Sequence, residues 1–145
     1  MEATRRHPMD KVISNQEIKK MDAKKIKTLL DRRKGKMKRF LSYCAHCSLC
    51  ADSCFLYMKH KKDPQYMPSY KVINSLGKLY RKRGKVDQKS LNEMRGIVWR
   101  NCVLCGRCYC PIGIHVPSMI AFARAVLRSQ GVYPQRNESS SESWL

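Results

Sequence analysis

Apolar positions recur along this chain at helical spacing, and no stretch alternates with period two for long enough to make a strand. Ile18, Met21, Ile26, Leu29 and Leu30 form an approximate stripe that ends near Gly35, behind Ser14 and Glu17 spaced as a capping box. Met37, Phe40 and Leu41 give a second short helix that runs directly into Cys44. After a loop held by Pro64 and Pro68, Ser69 is placed to cap a helix carrying Val72, Ile73, Leu76, Leu79 and Tyr80 on one side. "RKRGKVD" turns the chain, and Asp87 caps the next helix, whose apolar side is Leu91, Met94, Ile97 and Val98. Pro117 and Ser118 open a last helix over 118–130, which Gly131 closes. The expected class is all-α. Stripes of this kind are ordinary core, and their Met and aromatic positions need no cofactor to explain them.

Composition changes the picture at two places that the stripes leave out. "CAHCSLCADSC" (44–54) and "CVLCGRCYC" (102–110) hold all eight cysteines and form an internal repeat, each followed by helix. The chain has 145 residues, enough for one domain with tails and a modest core that a staple would help. Three segments are expected: a basic helical extension over 1–36, a cysteine-bearing domain over 37–134, and a polar tail over 135–145.

The formal net charge is +19, with residues 1–43 and 55–101 each contributing +9, so positive charge avoids the cysteine runs. That excess implies an acidic protein face, anionic lipid or nucleic acid as partner, set against the plainer reading of a solvated lysine-rich surface. No apolar h-region follows Arg5 and Arg6, and "MIAFARAVL" (119–127) is short and holds Arg124. The chain therefore reads as cytoplasmic, with peripheral contact to the inner face of a membrane open to it. In that compartment eight thiols point to metal before disulfides.

The first run spells C-x-x-C-x-x-C-x-x-x-C and the second C-x-x-C-x-x-C-x-C-P. Zinc asks for four ligands converging on one atom, usually from two separated C-x-x-C knuckles. Three cysteines in succession suit a cubane better, each thiolate taking a different iron, with a remote cysteine for the fourth. Eight cysteines divide into two such sets with none left over, which predicts two 4Fe–4S clusters. Pro111 fixes the turn after Cys110, Gly106 lets backbone approach inorganic sulfide, and Gly113 serves the exit toward "IHVP". His46 lies inside the first run as a tuning or ligating candidate, weighed against an ordinary exposed or core histidine.

The two runs, the intervening "DPQYMPSYKV" with its helix, "CVLCGRCYCPIGIHVP" and "ARAVLRSQGVYP" resemble the C-type subunit of heterodisulfide reductase. They equally resemble the related iron–sulfur domains of respiratory and sulfur-metabolism complexes. The resemblance covers residues 37–134 and implies the α-helical ferredoxin fold. It also implies crossed ligation: Cys44, Cys47, Cys50 and Cys110 on one cluster, Cys102, Cys105, Cys108 and Cys54 on the other. Two departures stand out. Phe55 follows Cys54 where the family usually has proline, and only Tyr109 separates Cys108 from Cys110 where the family spacing is longer.

No nucleophile–base pair, phosphate cradle or open catalytic metal position is legible, so the expected role is non-catalytic electron transfer within a larger oxidoreductase. The resemblance implies a B-type catalytic partner, a flavoprotein, or a membrane cytochrome. The rival from another class is a basic protein, stabilised by zinc or an iron–sulfur group, that binds nucleic acid through tracts such as "DRRKGKMKRF" and "YRKRGK". Its cysteine spacing matches no zinc finger or ribbon, and no interleaved aromatics offer a stacking surface, so nucleic acid is the disfavoured partner.

Overall fold

The computed structural model describes residues 21–135, and every regular element among them is helical. The Ser14–Glu17 capping pair, Ile18 and nearly all of the polar tail lie outside the described residues. The elements are α1 (Ala23–Arg32), α2 (Lys34–Tyr43), α3 (Leu49–Asp52), α4 (Phe55–Lys59), α5 (Pro68–Val72), α6 (Lys78–Arg81), α7 (Gln88–Arg95) and α8 (Val116–Ser129). A π-helical turn, Ile73–Gly77, joins α5 to α6, and a second, Gly96–Arg100, extends α7. A 3₁₀ turn spans Pro64–Tyr66.

Helix ends follow the local chemistry. The Asp22 carboxylate accepts from the Lys25 N–H at 2.9 Å and starts α1. Asp87 does the same for α7, accepting from the Ser90 N–H at 3.3 Å, as the sequence predicts. For α5 the cap is Met67 rather than Ser69, because Pro68 takes the first helical position, where its missing N–H costs nothing. The break between α1 and α2 comes at Arg33, and Gly35 lies inside α2 rather than ending α1.

At α8 the helix begins two residues earlier than predicted. The His115 ring Nδ1 accepts from the Ser118 N–H at 3.2 Å, and Pro117 sits in the first turn. Its end is a Schellman motif. Gly131 adopts φ +73°, the Val132 N–H reaches the Leu127 carbonyl at 3.0 Å, and the Gly131 N–H reaches that of Arg128 at 2.9 Å.

The core gathers around α8, whose Met119, Ile120, Ala123, Val126 and Leu127 are buried. Against it pack α1, through Ile26 and Leu30, and the long helix over 68–81, through Val72, Leu76 and Leu79. Leu91, Met94 and Val98 complete it from the helix over 88–100. The described part of the basic extension is thus packed on the domain. Asp22 N–H donates to the Gln130 side chain at 2.9 Å, and Tyr80 donates its hydroxyl to the Leu30 carbonyl at 2.9 Å.

The helix over 68–81 buries Val72, Leu76 and Leu79 as expected, but its buried face is rotated toward Lys71 and Ser75 and away from Ile73. Ile73 is only half-buried, while Lys71 and Ser75 are buried beside Val72 and Leu76. The Ser75 hydroxyl is satisfied by the Lys71 carbonyl at 2.5 Å. Lys71 therefore points its side chain into the protein, toward the cysteine loops.

Candidate metal centre

The two cysteine loops turn alike around their second thiol. In the first, His46 and Ser48 adopt φ of +54° and +63°; in the second, Leu104 and Gly106 adopt +56° and +78°. Relative to the cysteines these are the same two registers, one residue before and one after the second thiol of each run. Left-handed residues curl the chain there, and turns of this kind make concavities lined by backbone N–H groups that receive anions, iron–sulfur groups among them. The register of His46 is filled by leucine in the other loop, and His46 is exposed, so its place is explained by backbone shape.

Four of the eight thiols lie in a helix or just beyond one. Cys44 follows the last residue of α2, Cys50 lies in α3, and Cys54 precedes the first residue of α4. Cys102 follows the π turn at 96–100, and Cys110 opens the turn that Gly113 closes, its N–H on the Cys110 carbonyl at 3.0 Å and its φ at +79°. All eight thiols are free.

One pocket is walled by Cys44, Cys47, Cys50 and Cys110 together. The rest of its lining is largely apolar, with Phe40, Leu41, Val72, Ile73, Ile114, Val116 and Met119 inside and Tyr109, Pro111 and Ile112 from the second run. No Lys, Arg, Asp or Glu contributes to it. Burial pushes the Cys50 thiol above its usual range. Hydrogen bonds with Ser69 pull it back, and charge on Cys44 and Cys47 adds to the rise.

The sulfurs of Cys102, Cys54 and Cys105 act on Cys108, in surroundings of a different character. Burial first, then the sulfurs of Cys102 and Cys54, push the Cys108 thiol up to about 12, with Lys71 opposing the rise and Cys105 adding to it. Cys54 Sγ sits 3.7 Å from Lys71 Nζ and 3.7 Å from the Tyr66 carbonyl oxygen. The guanidinium of Arg124 spans Val98 and Cys102, donating from Nε to the Val98 carbonyl at 2.8 Å and from Nη2 to that of Cys102 at 2.5 Å. The Val98 carbonyl lies in the last turn of the helix, where carbonyls lack a partner within it, so Arg124 ties the helix end to the cysteine just beyond it. Its guanidinium and that of Arg128 lie 5.5 and 5.7 Å from the Trp99 ring centroid.

These surroundings suit a group that spans several ångströms. A zinc tetrahedron needs sulfurs about 3.8 Å apart. Among the described residues no three His, Cys, Asp or Glu side chains are gathered for a single ion. Four thiols in the wall of one largely apolar pocket, and further thiols near Cys108 with a buried lysine at Cys54, are a donor set that fits iron–sulfur clusters. The sequence pattern yields all eight ligand candidates but not Lys71, Arg124 or Ser53. Lys71 has one sequence signal, its place with Pro68, Val72, Ser75 and Leu76 on a single face at i, i+3, i+4, i+7 and i+8.

Among the described residues, seven of the eight large apolar side chains that stand exposed belong to these loops and their flanks: Tyr43, Leu49, Phe55, Met58, Val103, Tyr109 and Ile112.

A family model described as "4Fe-4S dicluster domain" matches residues 43–115, from the residue before the first cysteine to beyond the last. The chain is also 30% identical over 110 residues to the Hdr-like menaquinol oxidoreductase iron-sulfur subunit of Archaeoglobus profundus. That alignment covers 66% of this chain and 19% of the relative, so the chain spans about a fifth of its length. No solved structure matches it. With an all-α domain, paired cysteine loops and a family match over half its length, the chain belongs to the 4Fe–4S dicluster domain family.

Proposed function

We propose that this chain is an electron-transfer subunit that carries two 4Fe–4S clusters within a larger oxidoreductase of the heterodisulfide-reductase-like kind. One cluster is held by Cys44, Cys47, Cys50 and Cys110, the other by Cys102, Cys105, Cys108 and Cys54. The observation that carries the reading is the position of Cys110 in the wall of the pocket formed by Cys44, Cys47 and Cys50. The family match and the Hdr-like relative support the class of cofactor and of complex.

A bound cluster of this type, fully ligated by cysteine, supplies one-electron transfer. What the protein adds is shape and charge. The left-handed turns cup each site, the apolar wall around Cys110 excludes water, and α8 with its neighbours fixes both loops on one rigid core.

The exposed apolar residues around the loops are where the clusters are covered by a second protein of the complex, a B-type catalytic component, a flavoprotein or a cytochrome. Among the described residues no helix is long and apolar enough to cross a membrane. Attachment to the cytoplasmic face would therefore run through such a component or through the basic surface.

Anaerobic purification followed by iron and sulfide analysis tests the reading. About eight of each per chain, with a broad band near about 400 nm, is the expected result. Four iron after full reconstitution would reject two clusters, and a colourless protein with stoichiometric zinc would reject the class.

A further inference from the structure

The two thiol groups sit in opposite electrostatic surroundings. Lys71 is 2% exposed, and its ammonium is directed at Cys54 Sγ. Lysine is almost never this buried without an opposite charge. Among the described residues the ion pair is Lys78 with Glu93, and no carboxylate pairs with Lys71. The compensating negative charge must then come from the sulfur side. Arg124, a second cation that stays charged when buried, holds the Cys102 carbonyl of the same group. The wall of the pocket of Cys44, Cys47, Cys50 and Cys110 holds no lysine, arginine or carboxylate; its polar side chains are those of His46, Ser48 and Ser69.

We propose that Lys71 at Cys54, with Arg124 at the Cys102 carbonyl, holds the centre of Cys102, Cys105, Cys108 and Cys54 at the higher reduction potential, which gives the electron path through this chain a direction. The inference rests on the two-cluster reading above. Reduction adds one negative charge to a centre that is already anionic. A fixed ammonium within hydrogen-bond reach of a ligand sulfur favours that added charge, and a largely apolar pocket without lysine or arginine favours it less. One electron lost by the Cys44 centre is gained by the Cys54 centre, with no bond made or broken and no proton required. Supply and removal fall to a one-electron donor and acceptor in the partner subunits.

The test is a redox titration of the anaerobically purified protein, reduced with dithionite and followed by electron paramagnetic resonance. Cys47→Ser and Cys105→Ser assign the two signals by loss. In the unsubstituted protein the signal that Cys105→Ser abolishes should have the higher midpoint. Lys71→Met should lower that midpoint by at least a tenfold change in the reduction equilibrium, about 59 mV for one electron. The other signal should shift far less, and Lys71→Arg should restore most of the difference.

Two signals with midpoints unchanged in Lys71→Met, or a reversed order in the unsubstituted protein, would overturn the proposal while leaving the two-cluster reading intact. If Lys71→Met loses iron, the order in the unsubstituted protein decides alone. A single signal with about four iron per chain overturns both.

Discussion

The backbone N–H of Tyr109 donates to the Ser53 hydroxyl at 3.1 Å, a bond between the two cysteine runs across 56 positions of sequence. The same hydroxyl donates to the Cys50 carbonyl at 3.2 Å. Tyr109 is the lone residue between Cys108, which sits with Cys102, Cys54 and Cys105, and Cys110, which sits with Cys44, Cys47 and Cys50. At this point the chain passes from one thiol group to the other in a single step, over Ser53. The short spacing is the width of that step.

Replacing Ser53 with Ala should therefore loosen the contact between the runs. The lost bonds are partly open to water, so the expected cost in global stability is small, about 0.5–1.5 kcal/mol. Iron release to a chelator should quicken more than that figure suggests, because one hydroxyl ties down the backbone at Cys50 and between Cys108 and Cys110. Chelation kinetics on the iron-loaded protein would show it, and release as slow as in the parent would count against a tie between the loops.

Crossed ligation makes a sharper prediction. Cys110→Ser should disturb the signal that Cys47→Ser disturbs, although its nearest cysteine in sequence is Cys108. Cys54→Ser should behave like Cys105→Ser. Serine oxygen is a poor ligand for a soft iron–sulfur core, so the affected cluster should lose one iron or become labile. Electron paramagnetic resonance on the four single variants distinguishes the cases. A Cys110→Ser spectrum matching that of Cys105→Ser would mean that the second run serves one cluster by itself.

Arg81, Lys82 and Arg83 are exposed at the far end of the helix over 68–81, and the first two border a polar cleft shared with Lys78, Tyr70 and Asn74. Their charges should steer docking of an acidic partner. The triple substitution to Ala is expected to slow electron delivery several-fold at low ionic strength and hardly at all near about 1 M salt, where the Debye length falls to about 3 Å. Stopped-flow reduction across a salt series measures this. Full rates in the variant, with loss of salt-sensitive duplex binding, would instead promote the nucleic-acid reading.

Tyr80 joins the long helix to α1 through its hydroxyl on the Leu30 carbonyl. Burial, and then the charge of Asp31, pushes its phenol up to about 12 from 10.0. A raised pKa in the folded state means that folding favours the neutral form. The contribution is complete below pH 10.0 and is lost as pH climbs through about 12. Tyr80→Phe should lower stability by about 1 kcal/mol at neutral pH and flatten the alkaline loss of stability between those limits. Denaturant midpoints measured at pH 8 and in that alkaline window would reveal both effects.

The cysteine spacing, the helix stripes and the Asp87 cap were legible because each depends on residues within a few positions of one another. Thiols three apart reach neighbouring corners of one cluster, and apolar residues at i, i+4 and i+7 share a helix face whatever the rest of the chain does. The His115 cap was not legible, since an imidazole nitrogen can accept from the Ser118 N–H only in a backbone path set by the turn before it.

The edge of the buried face of the helix over 68–81, beyond Val72, Leu76 and Leu79, was not legible either. Val72 and Ile73 are equivalent by hydropathy, and α8 and the cysteine loops, distant in sequence, select the face that buries Lys71 and Ser75. A buried ammonium costs too much for local pattern to predict; it is tolerated only because Cys54 Sγ is brought within 3.7 Å of it. The sequence alone determined that eight thiols come in two runs on an all-helical frame. Which thiols meet, and which of the two groups has a cation beside it, were decided by packing, because both depend on segments about 50 residues apart being held against one core.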